Sequence, residues 1–111
     1  MSTFSNELIR GTLKTIVLKV LDEQDRAYGY HLIKQVRERT NDKIVLTEGA
    51  LYPILHKLET DGYVYIEEEN FSNRIRKYYR LTSSGKDAAR LKSIELLEFM
   101  QTIAKFFKTN T

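Results

Sequence analysis

The stretch TEGALYPILHKLETDGYV, Thr47 to Val64, decides how the rest of the chain is read. Leu51, Ile54, Leu55 and Leu58 recur at i, i+3, i+4 and i+7, the apolar stripe of an amphipathic α-helix. Gly49, Tyr52, His56, Lys57 and Thr60 fall on the other side, a row of hydrogen-bonding groups. Thr47 can cap the start, and Glu48 carries the charge that a helix N-terminus favours. Asp61-Gly62 ends the helix, because glycine takes the left-handed C′ conformation without strain. Pro53 is the awkward residue. It has no hydrogen to give the Gly49 carbonyl, and an interior proline costs roughly 3 kcal/mol. The spacing therefore predicts a bend or a loose first turn near Gly49 and Ala50. By itself the stretch fits two readings equally: a helix that reads DNA, or an ordinary surface helix.

Working back toward the N-terminus, Ile44-Val45-Leu46 is a short apolar link and Asn41-Asp42-Lys43 a turn. A helix is predicted from about Tyr28-Gly29 to Thr40, burying Leu32, Ile33 and Val36. Asp22-Glu23-Gln24-Asp25 is the loop before it. Ile9, Leu13, Ile16, Val17, Val20 and Leu21 give one more helical stripe starting near Leu8, and residues 1–6 read as a loose start. Two helices joined by about six residues, the second with a polar face outward, suggest a helix-turn-helix.

Working forward, residues 64–68 and 74–81 alternate as strands, with Glu69-Asn70-Phe71-Ser72-Asn73 as the turn. On the second strand Tyr79 and Leu81 are the core candidates. That choice points Arg74, Arg76, Tyr78 and Arg80 outward. Residues 74–80 hold four basic side chains and no acid. Thr82-Ser83-Ser84 opens a last helix running to about Lys108. Ala89, Leu96, Phe99, Met100, Ile103, Ala104, Phe106 and Phe107 occupy half its circumference, more apolar face than a small helical core can cover.

Composition narrows the classes. A chain of 111 residues with a hydrophobic fraction of 41% is one globular domain with a modest core and an appendage. No apolar run approaches a membrane span, and no apolar signal segment follows Met1. The absence of cysteine removes disulfides and thiolate metal sites and suits a cytoplasmic location. His31 and His56 sit on different helices, no serine–histidine–acid grouping stands out, and no glycine-rich phosphate loop follows a strand. The expectation is a protein that is not an enzyme and needs no metal or cofactor. Glu67-Glu68-Glu69 reads as a solvated strand end.

Nucleic-acid binding is better served. Helix, helix-turn-helix, then an arginine-rich hairpin is the order of a winged helix-turn-helix: a mainly α fold with a small β-hairpin over residues 1–81, followed by a terminal helix over 82–111. The second helix of the turn motif would enter the major groove and the hairpin would follow the phosphates, which arginine grips with two donors at once.

The runs Ala27-Tyr28-Gly29-Tyr30-His31-Leu32-Ile33, Thr47 to Glu59, Asp61-Gly62-Tyr63 and Arg74-Ile75-Arg76-Lys77-Tyr78-Tyr79-Arg80-Leu81-Thr82 with Gly85 resemble the PadR family of bacterial transcriptional regulators. The length and single terminal helix resemble its smaller subgroup, which dimerises through that helix. The resemblance implies a homodimeric repressor that binds a double-stranded operator, with an affinity a small-molecule effector can change. In the family's multidrug-binding branch tryptophans stack on flat drugs, and this chain has no tryptophan. The expected dimer contacts are Leu96, Phe99, Met100, Ile103 and Phe107, with Phe106 alongside; Phe99, Phe106 or Phe107 could instead line a ligand pocket. The expected DNA contacts are Thr47, Gly49 and Tyr52 at the groove, then His56 and Lys57 one turn on. Tyr28, preferred over Tyr30, is expected at the start of the second helix, and Arg74, Arg76, Lys77 and Tyr78 on the hairpin. Glu48 is either an acceptor for a cytosine amino group or only a helix-start charge. His31 and Lys34 read as ordinary surface. The rival from another class is a winged-helix module that binds protein.

Overall fold

The computed structural model describes residues 2–108; Met1 and residues 109–111, the extreme ends of the two predicted segments, lie outside it. The order of elements is α1 (Asn6–Arg10), α2 (Leu13–Glu23), α3 (Gly29–Arg39), α4 (Glu48–Thr60), β1 (Val64–Phe71), β2 (Arg74–Leu81) and α5 (Ser83–Phe107). It is a mainly helical fold with one antiparallel two-stranded hairpin and a long terminal helix, a winged helix-turn-helix. Among the described residues no helix is long and apolar enough to cross a membrane.

The core is where the stripes meet. Val17, Leu18 and Leu21 of α2, Leu32 and Val36 of α3, and Leu51, Leu55 and Leu58 of α4 are buried, and Val64, Tyr79, Leu81 and Ala89 close the cluster. Each buried leucine contributes about 2 kcal/mol, so these three helices hold one another in place and leave their polar faces outside. Ile54 completes the α4 stripe as a half-buried residue packed against this core.

Helix α4 starts as expected. Thr47 caps it by accepting from the Ala50 N–H at 3.2 Å. The helix then runs unbroken through Pro53 to Thr60, so the proline does not interrupt it. Asp61 caps its end and Gly62 takes the left-handed φ of +80°.

Three expectations need correction. The first helical stripe is two helices, broken at Gly11 and Thr12. Glycine is a poor helix former, and the Thr12 hydroxyl donates back to the Ile9 carbonyl at 2.7 Å. Residues 2–6 are not loose: the Thr3 N–H donates to the Lys43 carbonyl (2.7 Å) and the Ser2 hydroxyl accepts from the Val45 N–H (2.8 Å). The hairpin turn is only Ser72-Asn73, with φ of 48° and 65°. Two left-handed residues match the twist of the flanking strands, so β1 continues to Phe71, which pairs with Arg74. The far edge of β2 carries a partner that the sequence did not suggest. Ala27 bridges to Tyr79 through two backbone hydrogen bonds, 3.1 and 2.8 Å, laying the segment before α3 alongside the hairpin.

Helix α5 begins inside the fold and ends outside it. A Cβ on Gly85 would lie 2.0 Å from the Tyr63 carbonyl oxygen, so only glycine lets the first turn approach so closely. Thr82 caps that turn through the Gly85 N–H (3.0 Å) and donates to the Gly62 carbonyl (2.7 Å). Ala89 is buried and Leu96 half-buried, but every residue from Leu97 to Lys108 is exposed. A helix of 25 residues spans about 37 Å, and its second half carries no buried residue.

Candidate nucleic-acid interface

The polar side of α4 is free to meet a partner. Thr47, Glu48, Gly49, Tyr52, His56 and Lys57 are all exposed, on the face opposite Leu51, Leu55 and Leu58. Lys57 leans toward the helix end, 3.2 Å from Asp61. Tyr52 is not a free projection. A Cβ on Gly29 would meet its hydroxyl at 2.3 Å, so the phenol rests on the first residue of α3 while the side chain stays 44% exposed. Buried Tyr79 is near enough that Tyr52, after burial itself, helps raise the Tyr79 phenol above its ordinary pKa.

The hairpin meets α3 at the same point. Tyr28 caps α3 by position, and its ring is edge-on to Tyr78 with centroids 5.6 Å apart. The Arg76 guanidinium lies over the Tyr28 ring at 4.3 Å and over the Phe71 ring at 4.1 Å. Tyr52 and Arg76 thus flank the single dipeptide Tyr28-Gly29, which joins the exposed face of α4 to the outer face of the hairpin.

That outer face is less basic than the second strand alone suggests. The register places Glu67 opposite Tyr78 and Glu69 opposite Arg76, on the same face by the two-residue period. Arg26 donates to Glu67 (2.8 Å), pairs with Glu69, and stacks its guanidinium 3.8 Å from the Tyr78 ring centroid. Arg80 donates to Glu67 (3.0 Å) and to Asp25 (2.8 Å). The Arg80 and then the Arg26 hydrogen bonds hold the Glu67 carboxyl below its ordinary range. The Glu69 bond does most to raise the Arg26 guanidinium, against burial.

The expected hairpin contacts therefore divide. Arg74 and Lys77 are exposed, with no acid paired to either among the described residues, and they stand on opposite faces of the hairpin. Arg76 is half-buried between rings, and Tyr78 is half-buried under Arg26. Arg80, also predicted to point outward, is tied to Glu67 and Asp25.

The sequence reading missed Arg26, Phe71 and the acids of β1. The signal was available: a two-residue turn at Ser72-Asn73 fixes the register and sets Glu69 across from Arg76.

Of the expected dimer contacts, Phe99, Met100, Ile103 and Phe107 are 60%, 49%, 41% and 75% exposed, and Leu96 is half-buried. Leu96, Met100, Ile103 and Phe107 follow a 4-3-4 spacing, the spacing at which paired helices place their apolar contacts. Beside it, Ile16, Val20, Val36, Leu96, Leu97 and Met100 line an apolar groove of about 340 Å³ between α2, α3 and α5.

The chain and its fold resemble known proteins. The chain is 36% identical over 83 residues to an uncharacterised protein of Lysinibacillus sphaericus, covering 73% of this chain and 74% of that one. Its fold superposes on a transcriptional regulator of Clostridium thermocellum with a TM-score of 0.82 at 33% identity, over 90% of this chain and 97% of the other. It superposes on a PadR family transcriptional regulator of Eggerthella lenta with a TM-score of 0.80 at 35% identity, over 94% and 88%. The model of the PadR-like transcriptional regulators matches residues 17–91, a regulatory rather than a catalytic family. The chain belongs to the PadR-like family of transcriptional regulators.

Proposed function

We propose that this chain is a cytoplasmic, homodimeric, sequence-specific DNA-binding repressor. Helix α4 enters the major groove with Thr47, Gly49 and Tyr52 leading and His56 and Lys57 following. Tyr28, Arg74, Arg76 and Tyr78 lie along the flanking backbone from the outer face of the hairpin and Lys77 reaches it from the opposite face, the cations gripping phosphate and the tyrosines bordering it. One observation carries this reading: Tyr52 and Arg76 flank the same Tyr28-Gly29 step. The exposed face of α4 and the outer face of the hairpin meet there, which supports one surface for the backbone positioning and base readout that DNA recognition needs together. The 4-3-4 row of half-buried Leu96 and exposed Met100, Ile103 and Phe107, with exposed Phe99 beside it, supports a dimer through α5. The 340 Å³ groove beside it is of a size that holds a small effector. Two copies would place two α4 helices on two half-sites, and occupancy of a promoter would block transcription.

The test is a titration of duplex DNA from the chain's own promoter region across a salt series. Counterion release predicts an affinity that falls steeply with salt. Arg74→Ala and Arg76→Ala should each lower the slope by about one on every sequence tested. A flat salt dependence favours the rival, a winged helix that binds protein, and slopes unchanged in both variants would detach the hairpin from the backbone.

A further inference from the structure

The stacking on the hairpin carries an inference beyond which residues touch DNA, and it rests on the DNA-binding reading above. We propose that Phe71 and Arg26 are positioning residues that keep Arg76 flat, ordered and free for a phosphate without contacting DNA themselves. Phe71, at the last position of β1, is diagonal to Arg76 on the outer face, and its ring lies 4.1 Å from the Arg76 guanidinium; Tyr28 lies 4.3 Å away. Stacking engages the faces of a guanidinium and leaves its in-plane N–H donors pointing out, the geometry that a phosphate takes in bidentate fashion.

The acid that could quench those donors is Glu69, directly across the ladder from Arg76. It is paired instead with Arg26, which also holds Glu67 and stacks on Tyr78. Glu67 has a second partner in Arg80, but Glu69 has only Arg26 among the described residues. Removing Arg26 would leave Glu67 satisfied and release Glu69 to the nearest cation, Arg76. A basic hairpin with acids on its own face thus keeps one arginine available by assigning the acids to another.

Binding of the promoter duplex, with its salt slope, tests this in the full-length protein. Phe71→Ala should weaken binding about threefold, the scale of one exposed cation–π contact. It should do nothing further when added to Arg76→Ala, and Phe71→Tyr should bind as wild type. Arg26→Ala should weaken binding and lower the slope by about one, as loss of the Arg76 contact would. Adding Glu69→Gln should restore both, even if Arg26→Ala has lowered the melting temperature. Losses that simply add for Phe71 and Arg76, or a Glu69→Gln change that restores nothing, overturn the inference while leaving DNA binding intact. A wild type with no salt-dependent affinity overturns the DNA reading itself, and this inference with it.

Discussion

At the residue scale the decisive contact is Tyr52 on Gly29. The spacing of the α4 stripe puts Tyr52 outside the core, and it is indeed 44% exposed. Periodicity says nothing, however, about what a long side chain reaches, and the phenol reaches the start of α3. Two consequences follow from the 2.3 Å that would separate its hydroxyl from a Cβ on Gly29. Tyr52→Ala should lower operator affinity and also destabilise the fold by about 1 kcal/mol, since it removes a partly buried ring. Gly29→Ala should reduce affinity more than stability. Its methyl evicts the tip of a flexible side chain, and alanine is the better helix former. His56→Ala, at an exposed position, should leave melting unchanged and weaken binding less. Melting curves beside operator titrations separate these effects. If Gly29→Ala binds DNA normally, the placement of Tyr52 does not matter for recognition.

At the scale of elements, α4 was legible because its cap, stripe and stop are all local. The hairpin was legible in part. Alternation identified Tyr79 and Leu81 as core, but the outer face depends on cross-strand and cross-element partners that no single strand reveals. Arg26 comes from before α3, and Asp25 with it, yet both meet the hairpin because Ala27 pairs with Tyr79. The resulting network makes a pH prediction. The Glu67 carboxyl is held below its ordinary range, first by Arg80 and then by Arg26. Its contribution to stability is therefore present above the unfolded value of about 4.3 and is lost as pH falls through the lower folded value. The melting-temperature gap between wild type and Glu67→Gln should hold steady from neutral pH to about pH 5 and close only below the ordinary carboxylate range. A gap absent at neutral pH, or one that closes near pH 6, contradicts the ion-pair account of the hairpin.

At the scale of the whole molecule, the terminal helix is an appendage that the fold cannot cover. Its apolar half was legible as a surplus, because a core of this size has no room for Phe99, Phe106 and Phe107 together. Which part is shared with the winged region was not legible. Leu96 is half-buried beside α2, whereas Ile103 stands clear of the core at 41% exposure. Ile103→Glu is therefore the cleaner interface variant. It should leave the melting of the monomeric fold nearly unchanged and yet dissociate the proposed dimer, since an unpaired carboxylate buried between two apolar helices costs several kcal/mol. Sedimentation at low micromolar concentration checks this, and a variant that remains dimeric puts the interface elsewhere. The most direct test of the DNA reading is to titrate isotope-labelled protein with its promoter duplex and follow every backbone amide by NMR. The proposed interface predicts that residues 47–57, Tyr28 and residues 74–78 shift or broaden together while the exposed half of α5 stays still. Perturbation confined to α5, or none on α4, would contradict it.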